Sequence, residues 1–200
     1  MKKTYLFVFV LLINTLNILA QQVYKVIPQN STMKIEGTSS LHDWDMTVEN
    51  FKCDMSVIMG NPSITIERVN FTGISSTISS HNSIMDSKTR NALKTEKYPE
   101  ISFRMTSPLK IASQGNAFRG TATGELFIAG KTRTINLPFS GKTTSENLIS
   151  ISGAKKIDMT EYGVDPPTAM FGTLKTGKDV TVSFEIRLRH LGEESNVSLR

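Results

Sequence analysis

The chain has 200 residues, 38% of them hydrophobic, with a formal net charge of +5 and one cysteine. That length suits a single domain with one core, and the lone Cys53 excludes an internal disulfide, so burial alone must hold the fold. The positive charge is scattered and not interleaved with aromatics, which excludes a basic stripe for nucleic acid.

Residues 1–20 read as a secretory signal peptide. Lys2 and Lys3 precede an apolar run from Tyr5 to Ile13, and Ala20 offers a small residue for cleavage. The run is too short to span a bilayer. Its removal leaves a mature domain over 21–200, lowers the net charge to +3 by the loss of Lys2 and Lys3, and predicts a periplasmic or secreted protein with no transmembrane segment.

Beyond the leader the dominant signal has period two. Met33-Ile35, Trp44-Met46-Val48, Ile64-Ile66, Ile101-Phe103-Met105, Ile135-Leu137-Phe139, Ile149-Ile151 and Val180-Val182-Phe184-Ile186-Leu188 each place apolar side chains on one face of a strand. Gly120-Ala122-Gly124-Leu126-Ile128 carries small residues on the same period, which suits close strand approach. Parity reverses between Val48 and Phe51 and between Ile66 and Val69, as at a corner or bulge. Turn signals at Gly60-Asn61-Pro62, Gly115-Asn116, Gly130-Lys131, Gly141-Lys142 and Thr176-Gly177-Lys178 punctuate the strands. The fold class is all-β, a single antiparallel barrel of about eight strands. Two stretches break the rhythm. Met85, Thr89, Ala92 and Leu93 form the stripe of a short helix over Met85–Leu93, and the segment from Tyr162 to Gly177, with Pro166-Pro167, reads as a long loop; either this loop or the 82–93 segment is expected near the barrel mouth.

Catalytic and metal signatures are sparse. His42, His81 and His190 are not spaced as a local metal pair, and the Gly-Lys-Thr runs at 130–132 and 141–143 lack the glycine a phosphate loop requires. No metal and no cofactor is expected. Sequons stand at Asn30, Asn70 and Asn196. Cys53 reads as a small buried apolar residue. The inward face is large and soft instead. Trp44, Met46, Phe51, Phe103, Met105 and Leu126 form one part of it, and Ile128, Phe139, Phe184 and Ile186 the other. Such a barrel either packs solid or encloses one small ligand.

Three runs carry a resemblance. Lys94-Thr95-Glu96-Lys97-Tyr98-Pro99-Glu100-Ile101-Ser102-Phe103, Gly124-Glu125-Leu126-Phe127-Ile128-Ala129-Gly130-Lys131-Thr132 and Ile157-Asp158-Met159-Thr160-Glu161-Tyr162-Gly163-Val164 resemble motifs of the YceI-like family. The resemblance implies a lipocalin-like barrel in the periplasm that binds a polyisoprenoid or related lipid without catalysis. It adds Met159 and Tyr162 to the candidate ligand contacts and carries homodimerisation as a further expectation. The chain departs from the family pattern at Met159, where arginine is usual, at Ala129, where histidine is frequent, and in the opening Gly37–Trp44. The expected function is that of an exported lipid carrier, not an enzyme. The rivals are a packed barrel acting as a structural or partner-binding module, and a hydrolase or isomerase using His42 and Asp43.

Overall fold

The computed structural model describes residues 21–60, 62–145, 147–169 and 173–192; the segment read as a signal peptide over 1–20 and the sequon at Asn196 lie outside them. The alternating runs fold as β1 (Gln21–Val26), β2 (Thr32–Ser39), β3 (Trp44–Val48), β4 (Phe51–Met59), β5 (Ser63–Ile74) and β6 (Ile78–Ser79). After α1 (Ser83–Leu93) come β7 (Glu100–Met105), β8 (Leu109–Gln114), β9 (Ala117–Ile128), β10 (Lys131–Ser145), β11 (Leu148–Asp158), β12 (Thr168–Ala169) and β13 (Leu174–His190).

Pairing in the order β1-β4-β5-β7-β9-β10-β11-β13 closes when β13 returns to β1 through Tyr24↔His190 and Val26↔Leu188. The result is an eight-stranded antiparallel barrel. β2 prolongs β1 past a 3-10 turn at Pro28–Asn30 and pairs both β13 and β3, while β3 runs on into β4. β8 likewise prolongs β7 and pairs β5 and β9. Each strand therefore neighbours the next along the chain. Closure leaves no open edge in the ring, which removes the usual template for edge-to-edge aggregation. The parity reversals have visible causes. Val48 and Phe51 flank the two-residue break between β3 and β4. Ile66 and Val69 flank a register shift, where Val57 faces Ile66 but Ser56 faces Arg68, leaving Glu67 extra.

Successive antiparallel strands place connections at alternate ends. Those after β4, β8 and β10 are short. At the opposite end lie the β2–β3 loop, the long 75–99 crossover with α1, and the segment between β11 and β13. The core is correspondingly lopsided. Tyr24, Val57, Phe118, Ile149 and Leu188 are buried towards the short-turn end and form a packed floor. The outward positions of β13 carry Thr181, Ser183, Glu185, Arg187 and Arg189, so the barrel is polar outside and apolar within. No helix among the described residues is long and apolar enough to cross a membrane.

The helix starts two residues earlier than its apolar stripe indicates, because Asn82 caps it: the Asn82 side-chain oxygen accepts from the N–H groups of Ile84 and Met85, each at 3.1 Å. Asp86 anchors it to the preceding loop by accepting from the Ser80 N–H and hydroxyl, both at 2.7 Å, and from the Ser79 hydroxyl at 3.2 Å. Partial burial opposes ionisation of that carboxyl, but the Ser80 and Ser79 bonds and the charge of Arg90 outweigh it and hold its pKa below the ordinary value. The chain leaves the helix through Lys94 in the left-handed region, φ 54°.

The second long connection is shorter than the loop read from Tyr162 to Gly177. A 3-10 turn takes up Met159–Tyr162, and β13 already begins at Leu174. Asp158 secures it, accepting from the Lys178 ammonium at 2.6 Å and from the Thr160 hydroxyl and N–H at 2.6 and 2.9 Å. The Lys178 and Thr160 bonds lower its pKa to about 2. A carboxyl whose folded pKa is depressed adds stability above its unfolded pKa, about 3.9, and loses it as pH falls through the folded value. Asp158→Asn should therefore unfold more readily than the parent chain at neutral pH, with the gap closing between about pH 4 and pH 2. Denaturant midpoints across that range provide the check, and a gap independent of pH contradicts it.

Candidate functional site

Above the packed floor the barrel interior holds a cavity of about 490 Å³, open at the end that carries α1. That size falls in the range of small-molecule sites, roughly 300–1,000 Å³. Its walls come from alternate residues of the barrel strands, because period-two side chains on a closed sheet all converge on one lumen. Its rim comes from Leu41 and His42 of the β2–β3 loop, from α1, and from residues within 159–168 and 174–176.

Eleven of the twelve residues expected in the lining face this space. Met46, Phe103, Met105, Leu126, Phe139, Phe184 and Ile186 are on its walls, and Trp44, Ile128, Met159 and Tyr162 belong to its upper part. Phe51 is the exception. It is buried, with its ring 5.9 Å from that of Phe71, and Phe71 takes the place on the wall. The helix stripe of Met85, Thr89, Ala92 and Leu93 also turns out to be lining. The Thr89 hydroxyl meets the Met46 sulfur at 3.4 Å, so α1 sits against the wall and is not splayed away from it. Met33, Ile35, Ile135 and Leu137 are among the further wall residues. Their alternation was visible in the sequence, but alternation alone cannot tell a lining residue from one in a packed core.

Glycines make room for the rings. Gly153 pairs with Phe184 across β11 and β13, and a Cβ at Gly153 would come within 2.6 Å of that ring. Gly37 opposite Trp44 and Gly124 beside Phe103 stand in the same relation. The small residues on β9 and β11 thus let large aromatics lie along the wall, where they define the lumen instead of closing it. The Trp44 indole N–H donates to the Thr38 carbonyl at 3.0 Å, which fixes the ring at the upper edge. The third motif run shapes the mouth as well, since Gly163 ends the 3-10 turn in the left-handed region, φ 66°.

The polar groups at the site divide sharply. Cys53 faces the cavity, and burial, followed by the Asp54 charge, pushes its thiol up to about 12, so it stays protonated and poorly nucleophilic at neutral pH. His42 is exposed, its Nδ1 lies 2.7 Å from the backbone carbonyl of Asp43, and its backbone N–H donates to the Ser39 hydroxyl oxygen. These are the local bonds of a polar turn, and they do not join the His42 ring to the Asp43 carboxylate. Among the described residues, no three His, Cys, Asp or Glu side chains gather as metal ligands. Among the described residues, Lys88, Lys155 and Lys175 line the cavity, and no Asp or Glu does.

The model of the YceI-like domain family matches residues 24–188. The crystal structure of BcnA from Burkholderia cenocepacia aligns with a TM-score of 0.64 at 14% identity, over 81% of this chain and 98% of that one. A structure described as a polyisoprenoid binding domain from Saccharophagus degradans aligns with a TM-score of 0.63 at 9% identity, over 84% of this chain and 98% of the other. A YCEI protein from Campylobacter jejuni aligns with a TM-score of 0.57 at 17% identity, over 72% and 83% of the two chains. At these identities the likeness shows the fold alone. No curated protein sequence matches the chain.

Proposed function

The chain belongs to the YceI-like domain family, and on that premise we propose that it is an exported carrier that sequesters a long apolar chain, a polyisoprenoid or related lipid, in its barrel. The observation that carries the reading is the 490 Å³ apolar cavity, sealed by a packed floor and open at the helix end. Burial of a hydrocarbon chain there is driven by about 0.8 kcal/mol per methylene removed from water, with no catalytic group required. The description of the Saccharophagus degradans domain as polyisoprenoid binding points the same way. The leader-like segment over 1–20 supports export to the periplasm or beyond. A structural or partner-binding module needs no such void, and the turn geometry of His42 and Asp43 gives a hydrolase little to work with.

The lone tryptophan tests the reading directly, because Trp44 lines the cavity. Delipidated protein titrated with polyprenols of increasing length should show a saturable change in Trp44 emission. The affinity should rise with each added isoprene until the cavity is full. A response that never saturates, at any chain length, overturns the proposal.

A further inference from the structure

We propose that the ligand is an acidic amphiphile, with its head group, a phosphate or a carboxylate, held at Lys155 just inside the mouth; this rests on the lipid-binding reading above. Lys155 and Lys156 are adjacent on β11 and so face opposite ways. Lys156 is outside, where its ammonium pairs with Asp179 at 2.8 Å. Lys155 shares parity with Ile151, Gly153 and Ile157 and is aimed into the lumen. Its cross-strand partner is Val182, which in turn pairs with Ile35 on β2, so its level of the barrel is otherwise apolar.

Among the described residues Lys155 has no hydrogen-bond or ion-pair partner, whereas the Lys88 ammonium at the rim already donates to the Thr168 carbonyl at 2.7 Å. A cation in an apolar lumen is unfavourable unless a counter-charge or water solvates it. Among the described residues three lysines and no carboxylate line the cavity, which leaves room for a ligand to supply that counter-charge. In such surroundings the field of an ammonium is weakly screened, and a bond to an oxyanion is of the strong, charge-assisted kind. The position also fits an amphiphile. Lys155 stands three residues from the upper end of β11, with Gly153 and Ile151 below it leading towards the floor. A head group at that height leaves the apolar depth to the tail.

The test compares a prenyl monophosphate, a fatty acid and the matching prenyl alcohol on the delipidated full chain, on Lys155→Met and on Lys156→Met as an outward control. The parent chain should bind an acidic ligand tighter than the alcohol by about tenfold or more, the scale of one charge-assisted hydrogen bond. The acid-to-alcohol ratio should fall towards one in Lys155→Met and persist in Lys156→Met. Whichever acid binds tighter identifies the head group. Lys155→Gln, which keeps a polar side chain, provides the same readout should the methionine variant fold poorly. Equal affinity for acids and alcohol in the parent chain, or a preference that survives in both Lys155 variants, overturns the proposal and leaves the lipid-binding reading standing. Failure of all three ligands to bind overturns both.

Discussion

Replacing Ala122 by phenylalanine should weaken lipid binding by about a hundredfold while leaving the barrel folded. Ala122 is 5% exposed, faces the cavity from β9 and pairs with Leu137 on β10, itself a lining residue. A ring at this position enters existing space and does not have to displace packed neighbours, so the usual penalty for overpacking is reduced. It does exclude bound chain. If three or four methylenes lose their place, at about 0.8 kcal/mol each, the loss is roughly 3 kcal/mol, or about a hundredfold in Kd. Circular dichroism and thermal melting of Ala122→Phe should match the parent chain while the affinity for polyprenol collapses. Unchanged affinity would mean that the ligand does not occupy the middle of the lumen.

The opposite outcome is expected one layer lower. Ile149 is 1% exposed, pairs with Leu188 and belongs to the floor, not to the cavity wall. Ile149→Ala should lower the unfolding free energy by about 2–5 kcal/mol, since it opens a void in close-packed surroundings that relax only in part. For a domain of this size that is a drop of roughly 5–15 °C in Tm. Ile135→Ala, at a half-buried wall position, should lose no more than about half as much, because its side chain already borders open space and no new cavity is created. Denaturant unfolding of both variants separates the floor from the wall. Equal losses would contradict the division of the interior into a packed floor and an open chamber.

Much of this architecture is legible in the sequence because one rule governs it. Period-two alternation on a closed sheet dictates which side chains point inward, and the runs at Trp44–Val48, Ile135–Phe139 and Val180–Leu188 obey it. The bulge at Glu67 and the corner after Val48 show as parity reversals for the same reason. What alternation cannot encode is how far inward neighbours approach one another. Phe51 and Phe71 have the same pattern, and only their packing decides that Phe71 meets the cavity. The loop read up to Gly177 fails at its far end because β13 accommodates the Thr176-Gly177-Lys178 turn signal within the strand, through a register shift between Thr176 and Val180. Lys155 illustrates a different blind spot. Beside Lys156 it reads as half of a surface pair, yet its parity with Ile151 and Ile157 already places it inside. Polar residues at inward positions are worth testing against strand parity before they are assigned to the surface.

Native mass spectrometry of the purified protein, followed by solvent extraction of its contents, tests whether the barrel carries lipid. A barrel that carries lipid should retain one apolar chain per molecule, released only on denaturation and extracted as a defined species. Protein that is repeatedly free of bound lipid, and that takes up none when offered polyprenols, would contradict the account.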